Sequence, residues 1–120
     1  MGLFSVSASF HLTMGRKTII EQLESFRGEA SRETPITTMI LFGSRAWGKP
    51  QRDSDIDILV VSPSFKKKRR LDRGIGLYLQ WNLNYPVDFL CLTPEEFKRK
   101  KGKLGIVQQA VKEGIVIKAG

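Results

Sequence analysis

Three aspartates in this chain sit where carboxylates are costly. Asp55-Ile56-Asp57 opens a β-branched and aliphatic run that continues to Val61. Side chains alternate along a strand, so both carboxylates point one way and Ile56 and Ile58 the other. Carboxylates held this close repel, and partial burial raises the cost. A divalent cation relieves it. Hard carboxylate oxygens suit Mg²⁺ or Mn²⁺, with phosphate oxygens and water completing the octahedron. Asp88 lies alone in the apolar run Val87-Asp88-Phe89, and a charge inside such a strand needs a reason. If the two strands are neighbours, Asp88 completes a two-metal site. Such a site holds attacking and leaving oxygens in line for displacement at phosphorus. The plainer alternatives are a solvated strand end for Asp55 and Asp57, and an edge charge or arginine partner for Asp88.

Gly43-Ser44 follows directly on the β-branched and apolar run Ile36–Phe42. Glycine lets a phosphate approach the backbone, serine adds a hydroxyl, and successive N–H groups at such a turn can cradle an anion. The alternative is an ordinary strand-to-helix turn capped by Ser44. Arg45 could neutralise phosphate charge with its guanidinium, or simply be a surface arginine. Residues 43–49 (GSRAWGK) fit the first seven positions of a Walker A loop. The eighth is Pro50, with no hydroxyl and no N–H, and a polar loop follows instead of a long helix. A true P-loop is therefore not expected.

The elements that would position these residues alternate. Thr18 and Glu21 have capping-box spacing, with Gly28 placed to end a helix whose apolar face is Ile19, Ile20, Leu23 and Phe26. Strands are expected at Ile36–Phe42 and Asp55–Val61, broken by Ser62-Pro63-Ser64. Residues 65–81 read as helical, with Leu71, Ile75, Tyr78 and Leu79 on an apolar face. Val87–Leu92 reads as the third strand. Thr93-Pro94-Glu95-Glu96 combines cap, first-turn proline and capping-box glutamate. A helix from about Leu104 to Glu113 and a short strand, Ile115–Lys118, follow. Trp81 and Tyr85 read as lids on the core, and Cys91 as a buried core thiol. The alternation predicts an α/β (α+β) domain over residues 17–120, one sheet covered by helices. Residues 1–16 are expected to be a flexible leader.

Composition narrows the classes. The 120 residues carry a net charge of +8, 41% hydrophobic residues, one cysteine and one histidine, His11. There is no intrachain disulfide, no cysteine-based zinc site and no apolar stretch near the ~20 residues of a membrane-spanning helix. The positive charge favours polyanionic partners such as nucleotides, acidic proteins or nucleic acid. Lys66–Arg70 and Lys98–Lys103 read as solvated helix faces, or else as a patch for an acidic partner or RNA.

Taken together, Phe42-Gly43-Ser44-Arg45-Ala46-Trp47-Gly48, ten residues from Arg45 to Ser54, and Asp55-Ile56-Asp57-Ile58 resemble the minimal nucleotidyltransferase family of the DNA polymerase beta-like superfamily. Pro86-Val87-Asp88 and Val111-Lys112-Glu113-Gly114-Ile115-Val116 also fit, so the resemblance spans roughly residues 17–118. It implies a nucleotidyltransferase fold, a short mixed sheet with helices mainly on one face. It implies that Gly43 and Ser44 hold the β- and γ-phosphates, that Asp55 and Asp57 bind two Mg²⁺ or Mn²⁺ ions, and that Asp88 binds the catalytic metal and helps activate a hydroxyl. It further implies a prokaryotic, cytoplasmic enzyme moving AMP from ATP to a hydroxyl, with a HEPN-family protein as partner and the chain as its antitoxin. Two other readings are open: a module that neutralises a partner by contact, and a basic nucleic-acid binder, which is not favoured. A homo-oligomer is also open.

Overall fold

The computed structural model describes residues 16–43 and 55–119. Helix α1 (Arg16–Ala30) buries Ile19, Leu23, Phe26 and Ala30 as one stripe at helical spacing. The helix begins at Arg16, two residues ahead of Thr18. Gly28 does not end it. Ala30 is fully buried, and that packing outweighs a glycine's helical penalty of about 1 kcal/mol. The expected leader lies almost wholly outside the described residues.

Strands β1 (Thr38–Phe42), β2 (Ile56–Val61), β3 (Val87–Leu92) and β4 (Ile115–Val116) form one sheet in the order β3-β2-β1-β4. β1 runs antiparallel to β2 and β4, and β2 runs parallel to β3. The short mixed sheet is as expected. β2 is central and nearly all buried, which is why its residues form a continuous aliphatic run rather than an alternating one. β4 is shorter than expected, but the Ile117 N–H still donates to the Met39 carbonyl at 2.8 Å.

Alternate residues divide the core in two. Met39, Leu41, Ile56, Ile58 and Val60 pack on α1, Phe65, Leu77 and Ile117 in the larger cluster. Ile40, Phe42, Leu59, Val61 and Leu92 pack on Val107 and Ala110 across the reverse face. Helical residues thus cover both faces, with α1 on the larger cluster. Gly114 is required by close approach: a Cβ there would lie 2.8 Å from the Leu41 carbonyl oxygen.

The connection from β2 to β3 is more broken than one helix. Two 3-10 turns, Pro63–Lys67 and Arg70–Asp72, precede the short helix α2 (Ile75–Gln80). The Ser62 hydroxyl caps the first turn, and Lys68 then turns extended, which resets the helical register. The buried residues are therefore Phe65 and Leu77, whereas Leu71 and Leu79 are 90% and 82% exposed.

Helix α3 (Pro94–Lys100) starts with the expected capping box, Thr93 and Glu96 exchanging side-chain and backbone bonds. Glu96 also binds buried Arg73, with Nη1 to Oε1 at 2.7 Å, and Arg73 donates on to the Cys91 carbonyl at 3.3 Å. One carboxylate thus ties α3, β3 and the connection together. Arg27 of α1 makes a similar clamp, donating to the carbonyls of Ile117 at 2.6 Å and Ile36 at 3.1 Å. Helix α4 (Ile106–Glu113) packs on the smaller core. Among the described residues, no helix is long and apolar enough to cross a membrane.

Arg73 holds Glu96 down to about 2, with the Thr93 N–H and Arg70 assisting against the opposing effect of burial. A depressed carboxylate stabilises the fold above its unfolded pKa, near 4.5, and loses that stabilisation as pH falls toward 2. Glu96→Gln is expected to lower unfolding free energy by about 2 kcal/mol at pH 7, with the gap to wild type closing toward pH 2. Urea unfolding at a series of pH values checks this, and a gap independent of pH would contradict it.

Candidate active site

The β2–β3 register places Asp57 opposite Asp88, and the β1–β2 register places Phe42 opposite Asp57. Neighbouring strands lie about 4.8 Å apart, so the two carboxylates stand side by side on the smaller-core face. Ile56 and Ile58 point into the larger core, as alternation requires. Asp57 is half-buried and Asp88 exposed.

Gly43 ends β1 against this pair. Its φ is +80°, and a Cβ there would collide with the Asp57 Oδ2. Glycine is needed twice over, for the backbone conformation and for the contact with the carboxylate. Ser44 and Arg45 lie outside the described residues.

Asp55 stands just before β2 rather than within it, and it is exposed. Among the described residues, no group of three acidic, histidine or cysteine side chains is gathered closely enough to hold a metal ion. Asp55 is not held by the pleat that aligns Asp57 with Asp88, and like charge gives it no cause to close on them. It still acts on Asp57, whose carboxyl is pushed above its ordinary pKa by burial first, then by Asp88 and Asp55. Oxygen donors with excess negative charge fit a hard divalent cation.

A cleft of ≈370 Å³ opens on these groups, lined by Phe42, Gly43, Asp57, Asp88, Phe89 and Leu90, with Ile106 and Gln109 added by α4. Sequence reading missed Ile106 and Gln109, because nothing local says that α4 overlies the aspartates. It also missed the role of Tyr78, read only as part of an apolar face. The Tyr78 hydroxyl accepts from the Phe89 N–H at 3.1 Å and donates to the Asp88 Oδ1 at 3.3 Å. Burial first, and then Asp88, raise its pKa against the lowering effect of the Phe89 N–H. The visible signal was a phenol in a stripe otherwise made of aliphatic residues.

The remaining candidates fall into place as packing. The Trp81 Nε1 donates to the Tyr85 carbonyl at 2.8 Å, and its ring lies edge-on to Phe26 with centroids 5.0 Å apart. Cys91 is partly buried, and burial pushes its thiol up to about 11, against the lowering effect of Arg73 and Lys68. It is therefore a protonated packing group, not a nucleophile. The run from Lys66 to Arg70 is partly neutralised within the fold: Lys66 pairs with Glu95 at 2.8 Å and Arg69 with Asp72 at 3.0 Å.

Carboxylates paired on neighbouring strands beside a glycine turn, open to a cleft, suit group transfer at phosphorus. Residues 23–117 match the nucleotidyltransferase domain family, and the chain belongs to that family. It is accordingly a nucleotidyltransferase of the polymerase beta-like kind that its motifs resemble. The crystal structure of a candidate nucleotidyltransferase from Sulfolobus solfataricus shares the fold, with a TM-score of 0.61 and 25% identity over 84% of this chain and 80% of that one. No curated protein matches the chain.

The raised pKa of Asp57 has a consequence for stability. Its folded form holds a proton more readily than the unfolded chain does, so its ionisation at neutral pH costs stability, and that cost vanishes as pH falls below the ordinary carboxylate range. Without divalent cations, Asp57→Asn is expected to raise the Tm at pH 7 by roughly 2–4 °C. The gain should fade by pH 3. Thermal melts in chelator at both pH values read this directly, and a lowered Tm at pH 7 would refute it.

Proposed function

We propose that the chain transfers a nucleoside monophosphate, AMP from ATP, to a hydroxyl on a partner protein. The observation that supports this most is the placement of Asp57 beside Asp88 against the Gly43 turn, at the mouth of one cleft. In this reading Gly43 leaves room for the triphosphate to lie on bare backbone. Gly43 and Ser44, assigned by resemblance, hold its β- and γ-phosphates, and the Arg45 guanidinium neutralises phosphate charge. Asp57 and Asp88, joined by Asp55, hold Mg²⁺ or Mn²⁺, which when bound neutralises charge on the phosphates and aligns the reacting oxygens.

Asp88 accepts the proton of the attacking hydroxyl, and Tyr78 holds Asp88 in position from the strand edge. The new bond forms between the acceptor oxygen and the α-phosphorus, and pyrophosphate departs with the bridging oxygen. Family resemblance makes the acceptor a tyrosine of a HEPN-type protein, with the chain acting as its antitoxin in the cytoplasm.

A contact-only module is the second reading, favoured by one observation: among the described residues no three acidic, histidine or cysteine side chains are gathered closely enough to hold a metal ion. The first experiment is titration of MgATP and MgGTP into the pure protein. Wild type is expected to bind in a cation-dependent way, with ATP preferred, and Asp55→Asn/Asp57→Asn to lose that binding. Asp88→Asn should then lower transfer by at least about 10²-fold while triphosphate binding persists. Partner neutralisation that survives Asp88→Asn would favour the contact-only module.

A further inference from the structure

A groove continues from the carboxylate cleft along the outer edge of β3. Phe89 and Leu90 line both, and Leu90, Leu92 and Lys100 carry it to the loop before α4. One bank bears Leu71 and Ile75, 90% and 52% exposed, and the other Leu104 and Ile106, 95% and 56% exposed. Single exposed aliphatic residues are ordinary; four on the banks of one groove mark a contact surface.

The groove does not invite an added strand. The Tyr78 hydroxyl takes up the outward Phe89 N–H, and Arg73 takes up the outward Cys91 carbonyl. A helix or a folded surface suits such a floor better than an extended peptide does. The rim is cationic. Arg70 shares Glu96 at 3.6 Å, whereas Lys100 and Lys103 have no ion pair among the described residues.

We infer that this groove docks an acidic protein segment bearing an apolar stripe and leads a side-chain hydroxyl on it to the Asp57–Asp88 cleft. This deepens, and rests on, the transferase reading above. Charge complementarity selects the occupant: the apolar stripe covers the leucines while carboxylates meet Lys100 and Lys103. A second copy of this chain, at +8, would bring like charge to the same rim. Nucleic acid would bring its phosphates beside two aspartates.

The test is fluorescence anisotropy on the full chain. The probe is a synthetic helical peptide with leucines on one face, glutamates elsewhere and one terminal tyrosine. Controls replace its glutamates by lysines, or its leucines by serines, and a single-stranded RNA is run alongside. The acidic apolar peptide is expected to bind at least about tenfold more tightly than any control. Leu71→Asp and Leu104→Asp should each weaken it about tenfold. Both leucines face solvent, so each variant should keep wild-type circular dichroism and wild-type MgATP binding. Equal binding of the controls, preference for RNA, or a dimer that Leu104→Asp dissolves would overturn the inference. Absence of MgATP binding with peptide discrimination intact would instead fail the transferase reading and leave the docking surface standing.

Discussion

The parallel register of β2 against β3 is the constraint on which this molecule turns. It sets Ile58 beside Phe89 on the face of the larger core and Asp57 beside Asp88 on the other. One strand pair therefore carries both the hydrophobic attachment of the sheet edge and the charge of the site. A slip of β2 by one residue would drive Asp57 into the core and turn Ile56 and Ile58 toward the cleft. The aliphatic packing behind β2 forbids that slip, and so it fixes the aspartates as firmly as any contact they make themselves.

The site is held at a cost. Burial and two like charges raise Asp57, and Gly43 adds a strand end that tolerates no side chain. The surrounding fold offsets this with arginine clamps. Arg73 and Glu96 fasten β3, α3 and the connection, while Arg27 fastens α1 to the loop before β1 and to the chain beyond β4. These clamps lie away from the aspartates, so the sheet keeps its geometry while the carboxylates stay under mutual repulsion. Active sites often carry stored cost of this kind, which a bound ligand relieves.

Much of this was legible residue by residue. β3 and the start of α3 fell where their patterns put them, because each rests on local signals: an apolar run opened by a proline, and a threonine–glutamate box around a proline. The stripe of α1 was also plain, yet its ends were misread, since burial of Ala30 overrides the local stop at Gly28. The connection between β2 and β3 was misread more deeply. Its apolar residues fit a helical period, but the break at Lys68 resets the register, and Leu71 and Leu79 end on the outside. Periodicity counts spacing and cannot register a break that satisfied backbone bonds make locally cheap.

The site divides along the same line. By itself the sequence determined the chemical inventory: Asp55, Asp57 and Asp88 as hard oxygen donors, Gly43 as the open turn, and a motif string specific enough to point to the nucleotidyltransferase family. Only the tertiary structure decided which of these meet. It paired Asp57 with Asp88, left Asp55 outside the strand, brought Tyr78 around the sheet edge to Asp88, and laid α4 over the cleft. The reason is physical. Residue type and strand alternation are local properties written into consecutive positions, whereas the neighbour a strand chooses depends on how distant apolar faces bury one another.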